Sequence, residues 1–143
     1  MRSCNREGLR RLVLLARQQK ADSVLVLCDS DDDCPAKWGP DATQVINGHL
    51  PGGAVMALRE YETWLLLNYT DAQLRETGIK EPEFKRGAKE ALAKLVPGYL
   101  PTTHQLTETR KLNIARVRQV SDSFDKLVRI LAHISGTTPP ARQ

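Results

Sequence analysis

The feature that most restricts the fold is a continuous apolar run, Ser23–Cys28, that ends abruptly in acidic residues. Such a run is typical of a strand buried on both faces, and strands of that kind are usually parallel and central in a sheet. A second, weaker strand is predicted at Ala54–Leu58. Together the two runs predict an α/β fold with a mostly parallel sheet flanked by helices.

Helices are predicted around these strands and through the whole C-terminal half. At Glu7–Gln19 the apolar residues recur with helical spacing, and a loop is expected over 29–40. The remaining predicted helices are 41–49, 60–68, 83–95, 106–120 and 123–134. We treat residues 1–134 as a single domain and expect 135–143 to be a disordered tail.

Two parallel strands are too few for a sheet whose edges are covered. We therefore expect further strands, either from a partner chain or from sequence upstream of Met1. On this interpretation the domain is incomplete at its N-terminus.

Composition restricts the class of protein. The chain is 41% hydrophobic and 27% charged, which is typical of a soluble globular domain. Its apolar runs are far shorter than the roughly 20 residues that span a bilayer, and its start lacks the features of a signal peptide. Its three cysteines have no disulfide or zinc spacing. We therefore predict a cytoplasmic protein without a membrane partner.

Charge is unevenly distributed along the chain. Residues 28–62 carry seven acidic and two basic side chains, whereas 1–27 carry six basic and two acidic ones and 75–126 carry eleven basic and seven acidic ones. An acidic centre between basic flanks suits a metal site that faces a phosphate backbone, so DNA or RNA is a candidate partner. A mixed surface that arose by chance is the alternative.

The acidic run places four carboxylates directly after the first strand. Asp29, Asp31 and Asp33 occupy alternate positions and would project the same way along an extended chain. Crowded carboxylates repel one another, and a cation relieves that repulsion. Oxygen ligands at the C-terminal end of a parallel strand suit Mg²⁺ or Mn²⁺. The run therefore predicts a metal site, with a solvated acidic turn as the alternative.

A second polar group of residues, Arg59-Glu60-Tyr61-Glu62-x-Trp64, stands where the second strand leads into a helix. Glu60 could reach the same cation as Asp29. The alternative is that Glu60 and Glu62 only favour the first turn of a helix, whose dipole attracts acidic side chains. Trp64 is predicted to lie in the core.

Taken together, the blocks VLVLCDSDDDCPAKWGP, REYETWLL, RGAKEAL, GY…Q.T and SDSFDKL resemble the bacterial domain of unknown function 4276. That family is similar to a divergent branch of the TOPRIM superfamily, and the match runs from about Glu7 to Ile134. The resemblance implies a TOPRIM-like sheet with helices on both faces. It also implies a metal centre made from the D-x-D carboxylates and a glutamate on the family's first strand, a block that this chain lacks.

The resemblance also implies roles for single residues. The implied catalytic residues are Asp29, Asp31, Glu60 and Lys89, and the implied metal ligands are Asp29, Asp31, Asp33 and Glu62. Arg59 belongs to the second block, and Lys89 would neutralise charge on a phosphate. Structural roles are implied for Gln105 as a loop contact, Ser123 as a cap and Phe124 as a core anchor. Lys111 stands where the family tends to carry an acid.

The function implied by the resemblance is Mg²⁺- or Mn²⁺-dependent cleavage of phosphodiesters beside an ATPase partner, in bacterial defence against phage or plasmids. One alternative is a catalytically inactive interaction subunit that docks on the ATPase. Another is a haloacid-dehalogenase-type phosphatase with Asp29 as the nucleophile, although Asp33 stands where that family has Thr or Val. A homo-oligomer is compatible with each of these functions.

Overall fold

The computed structural model describes residues 6–30 and 34–142. The strands are parallel, so the α/β class predicted from the sequence is confirmed at this level. The elements follow the chain in the order α1 (Arg6–Gln18), β1 (Val24–Asp29), α2 (Pro35–Asn47), β2 (Gly52–Ala57), α3 (Glu62–Leu66), α4 (Asp71–Glu76), a 3₁₀ turn (Pro82–Phe84), α5 (Ala88–Leu92), α6 (Pro101–Arg110), α7 (Ile114–Val120) and α8 (Asp122–Ile134).

The described residues form two compact units. The first unit comprises 6–27, 34–56 and 126–140, and the second comprises 28–30, 57–125 and 141–142. Each unit has a hydrophobic cluster of its own.

The first unit is built on helices that cover the strand pair. The apolar stripe of α1 buries Leu9 and Val13, which pack with Ala42 and Ile46 of α2 and with Ala54 of β2. This is the stripe that the spacing in the sequence predicts, and its burial fixes α1 against the sheet.

The opposite face of β2 is covered by the C-terminal part of α8. A Cβ atom placed on Gly53 would stand 2.7 Å from Cδ1 of Ile130, so α8 lies directly on the backbone of β2. The first unit therefore has a helix layer on each face of the strand pair.

Backbone contacts fix the pairing of the two strands. The N–H of Val24 donates to the carbonyl of Pro51 at 2.9 Å, and the N–H of Ser30 donates to the carbonyl of Ala57 at 2.9 Å. At Gly52 a Cβ atom would stand 1.9 Å from the carbonyl oxygen of Val24. Because only glycine allows so close an approach, Gly52 fixes where β2 begins.

The predicted burial of the first strand on both faces is wrong. β1 is only partly buried, with Leu27 41% exposed and Asp29 exposed, whereas every residue of β2 is buried. Each strand has one strand neighbour among the described residues, so the difference comes from the helices: α2 and α8 lie directly on the two faces of β2.

The predicted loop over 29–40 is wrong from Pro35 onward, because α2 begins there. Proline is well accommodated in the first turn of a helix, where its missing N–H has no helical partner to lose. Pro40 lies inside α2. The carbonyl that Pro40 leaves without a helical donor belongs to Ala36, which is exposed and open to water.

The second unit consists of short helices around a second cluster, which includes Leu65, Leu92 and Tyr99. Trp64 is fully buried, as predicted. Its ring meets that of Phe124 edge-on, with 5.3 Å between the centroids.

Several predicted helices of this unit are shorter or divided. The predicted 60–68 reduces to α3, 83–95 becomes the 3₁₀ turn and α5, and 106–120 becomes α6 and α7. Gly87, at a φ of +68°, starts α5, and Asn113 caps α7 by accepting from the N–H of Arg116 at 3.0 Å. None of the helices in the described part of the chain is long and apolar enough to cross a bilayer.

Candidate functional site

The C-terminal ends of β1 and β2 lie side by side, because the strands are parallel and Ser30 bonds to Ala57. This is the end of a parallel sheet at which α/β proteins place their ligands. The candidate site consists of Asp29, Ser30 and the segment 58–63, which we call the acidic turn. All of these residues belong to the second unit.

Two side chains at the end of β1 hold the backbone of the acidic turn. Oδ1 of Asp29 accepts from the N–H of Tyr61 at 2.7 Å, and Oγ of Ser30 accepts from the N–H of Arg59 at 2.8 Å. Ser30 is buried, and Arg59 has a φ of +68°, in the left-handed region. A side chain in that region costs about 1–2 kcal/mol, so the surrounding bonds must hold the turn in place.

The acidic turn contains buried oxygen atoms with no hydrogen-bond donor. Oε2 of Glu60 and Oγ1 of Thr63 are both buried and have no hydrogen-bond partner among the described residues. An unsatisfied buried polar group costs about 1–3 kcal/mol, so it needs a physical explanation such as a bound ion or water. Carboxylate and hydroxyl oxygens are of the kind that a hard cation binds.

Glu62 differs from Glu60 in its surroundings. Its side chain is 1% exposed, and its Oε1 accepts from the hydroxyl of Tyr99 at 3.2 Å and from Nε2 of Gln105 at 3.3 Å. Burial and the Glu62 carboxylate raise the pKa of Tyr99 above its ordinary value. These bonds tie α3 to α6 and to Tyr99, which lies two residues before α6 begins.

Glu108 is a second buried carboxylate in this unit, and it was not predicted as a site residue from the sequence. It accepts from the hydroxyl of Tyr69 at 3.3 Å and from Nζ of Lys111 at 2.6 Å. Burial, together with the Glu108 charge, raises the pKa of Tyr69 to about 12. The signal available in the sequence was the spacing of Glu108 and Lys111, which places the two side chains one helical turn apart.

The remaining sequence-predicted residues fall into three groups. Asp31 and Asp33 lie outside the described residues. Lys89 is exposed on α5, and no hydrogen bond of the described residues joins it to Asp29 or Glu60. Gln105 contacts Glu62 from within α6, and Oγ of Ser123 accepts from Nε1 of Trp64 at 3.0 Å.

The residues that hold the acidic turn include one that was not predicted from the sequence. Ser30 stands between two aspartates, and its hydroxyl fixes the backbone of Arg59. A small hydroxyl residue directly after a predicted strand was the available signal, because such residues often bond to nearby backbone.

Within residues 6–30 and 34–142, no three side chains of the His, Cys, Asp and Glu types come close enough to hold a metal ion. The described carboxylates of the site are those of Asp29, Glu60 and Glu62, and Glu62 is already bonded to Tyr99 and Gln105. Three more carboxylates, at positions 31–33, follow Asp29 within four residues along the chain.

No family model, no curated protein and no solved structure matches this chain.

Proposed function

We propose that the acidic turn and the end of β1 form a Mg²⁺ or Mn²⁺ site for phosphodiester cleavage in a TOPRIM-like domain. The observation that carries this proposal is the pair of buried, unsatisfied oxygens, Oε2 of Glu60 and Oγ1 of Thr63, in a turn tied to Asp29. The proposal also includes the similarity of this chain to the domain of unknown function 4276.

The residues of the site fit a divalent cation. Glu60 offers a carboxylate oxygen that no described donor satisfies, and Asp29 is exposed with a carboxylate fixed through one oxygen by Tyr61. Asp31 and Asp33 follow directly in the sequence and complete the proposed ligand set. A bound divalent cation would supply charge stabilisation and lower the pKa of a water molecule.

The protein's own contribution is a fixed turn. Asp29 and Ser30 hold the backbone N–H groups of residues 59 and 61, which sets the position of Glu60 between them. Glu62, whose bonds go to Tyr99 and Gln105, acts in this proposal as a positioning residue for α3. Lys89 and Arg59 are the proposed cations for the phosphate backbone of DNA or RNA.

Calorimetric titration of Mn²⁺ into the 143-residue chain tests the proposal. We expect saturable binding that weakens at least about tenfold in Asp29→Asn and in Glu60→Gln. Both variants keep an oxygen that can accept a hydrogen bond. In Asp29→Asn the amide oxygen can still accept from the N–H of Tyr61, so the turn should persist. Glu76→Gln, on an exposed residue of α4, is the matched control.

If Mn²⁺ does not bind, or binds equally to all four proteins, the metal site is ruled out. Given binding, we expect the chain to cut DNA or RNA only with the metal present, and Asp29→Asn to lose that activity.

A second candidate function is a catalytically inactive interaction subunit that docks on an ATPase. The observation in its favour is the exposed edge of β1. Failure of Mn²⁺ binding with an intact fold would favour this function over the first.

A further inference from the structure

The outer edge of β1 is open. In the described part of the chain β1 pairs with β2 alone. The N–H groups of Val24 and Ser30 point to β2, so by alternation the N–H and C=O groups of Leu25 and Leu27 point outward. Among residues 6–30 and 34–142, no strand receives these outward donors and acceptors.

Over Val24–Cys28, the sequence of β1 does not protect this edge. Natural edge strands usually carry a lysine, a proline or a bulge that prevents pairing with another chain. The segment Val24–Cys28 reads VLVLC and contains none of these. An apolar, unprotected edge is a site where a further strand adds.

Exposed leucines accompany the edge on α1. Leu12 is 61% and Leu15 is 51% exposed, one helical turn apart on the flank of the buried stripe of Leu9 and Val13. Since α2 packs over β2, the flank of α1 that α2 leaves uncovered lies on the side of β1. Leu27 alternates with Val24 and Val26, which pack on that stripe, so its side chain points to the other face of the sheet. We call the outward backbone groups of Leu25 and Leu27, together with Leu12 and Leu15, the β1 edge surface.

We propose that the β1 edge surface binds a second copy of this chain, with the two β1 strands antiparallel about a two-fold axis at Val26. The two sheets then join into one sheet of four strands in the order β2-β1-β1-β2. This proposal does not rest on the proposed metal site.

The register follows from side-chain chemistry and backbone geometry. With Val26 opposite Val26 of the other copy, Leu25 lies opposite Leu27 and Val24 lies opposite Cys28. Every pair within Val24–Cys28 is then apolar. Leu25 and Leu27 both point their backbone groups outward, so they form hydrogen-bonded pairs, and Val26 forms the close, non-hydrogen-bonded pair.

Charge supports the same register. A two-fold axis at Val26 places Asp29 opposite Ser23 and keeps the two Asp29 carboxylates about 20 Å apart along the strands. An axis at Leu27 would instead place Asp29 opposite Leu25, inside the apolar pairing.

Sedimentation equilibrium of the full chain over a concentration series tests the proposal. We expect a mass of twice 16.0 kDa for the wild type and of 16.0 kDa for Leu27→Lys. Leu106→Lys, which changes a leucine 62% exposed in the second unit, should leave the dimer intact. Circular dichroism checks that both variants are folded. A monomeric wild type, or a dimer that persists in Leu27→Lys, would overturn the proposal.

Disulfide trapping tests the register in a background with Cys4, Cys28 and Cys34 changed to Ser. In this background Val26→Cys should form a covalent dimer on oxidation, because two residues on the axis lie within reach of a disulfide. Leu106→Cys should not. A dimeric protein in which Val26→Cys stays uncrosslinked would refute this interface.

Discussion

Arg118 and Asp125 form a buried ion pair in the second unit. Nε and one terminal nitrogen of Arg118 donate to Oδ1 of Asp125 at 2.9 Å and 2.7 Å, and the side chains are 6% and 10% exposed. A buried ion pair of this kind adds little stability compared with apolar residues of similar volume at the same positions. Removing one partner, however, leaves a buried charge without its counter-charge.

We therefore expect Asp125→Ala to lower the free energy of unfolding by about 3–5 kcal/mol, measured by urea denaturation. The double variant Arg118→Met, Asp125→Leu should recover much of that loss, because it removes both charges. Equal losses in the single and double variants would contradict the role assigned to the pair.

The residues of the candidate site were partly accessible from sequence. Asp29 and Glu60 could be chosen because each follows a predicted strand, and parallel strand ends meet at one edge. The different surroundings of Glu60 and Glu62 could not be foreseen, because they depend on Tyr99 and Gln105, which lie far along the chain.

At the scale of elements, Gly52 decides whether β1 and β2 can pair. A Cβ atom there would meet the carbonyl oxygen of Val24 at 1.9 Å, and a backbone atom cannot move aside as a side chain can. We expect Gly52→Ala to cost about 3 kcal/mol or more in the free energy of unfolding.

Gly48→Ala is the matched control for this substitution. Gly48 has a φ of −68°, and a Cβ atom there would lie 3.5 Å from its nearest neighbour, which is ordinary contact. Chemical denaturation should therefore separate the two variants clearly. Similar losses of unfolding free energy in the two variants would contradict the close contact between Gly52 and the carbonyl of Val24.

The start of α4 depends on a reciprocal cap. Oγ1 of Thr70 accepts from the N–H of Gln73 at 3.3 Å, and Oε1 of Gln73 accepts from the N–H of Thr70 at 2.9 Å. Thr70→Ala should cost about 1 kcal/mol in a calorimetric unfolding measurement. Thr107→Ala, at an exposed position on α6, should change stability much less.

Elements with a long periodic pattern were predicted well, and short ones were not. The predicted bounds of α1 and α8 differ from the structure by one residue, because each carries several turns of apolar spacing. α4 was not predicted, since six residues hold too little periodicity, although its Thr70–Gln73 cap was a readable signal. The division at Lys111–Asn113 was hidden by helical spacing on both sides.

At the scale of the whole molecule, the phenol side chains of Tyr69 and Tyr99 make the free energy of unfolding depend on pH in the alkaline range. The pKa values of Tyr69, raised to about 12, and of Tyr99, also raised, lie above the value of about 10 in an unfolded chain. The unfolded state therefore binds fewer protons than the folded one above pH of about 10. The stabilisation is complete below that pH and is lost as pH rises towards the folded pKa values.

Urea denaturation at pH of about 9 and about 11 measures this effect. The free energy of unfolding of the wild type should fall between the two, and the fall should be smaller in Tyr69→Phe, which lacks one of the phenols. Equal falls in both proteins would contradict the raised pKa of Tyr69.

The extent of the sheet was the part of the architecture least accessible from sequence. The apolar composition of Ser23–Cys28 predicted a central strand, but the structure gives β1 a single strand neighbour among the described residues. The apolar composition of a strand indicates that the strand must be buried, but it does not indicate which chain buries it. β2, with a weaker apolar pattern, is the fully buried strand because helices cover it.

Evolution should treat the acidic turn differently from the two residues of β1 and its end that hold it. Asp29 and Ser30 hold it through their side chains, but the groups that they hold are the backbone N–H groups of residues 59 and 61. These two hydrogen bonds therefore do not fix the side chains at 59 and 61, and Gly or Asn at 59 would relieve its left-handed conformation. A substitution at position 29 or 30 removes a side chain that holds the turn, so these two positions should stay unchanged longest among related sequences.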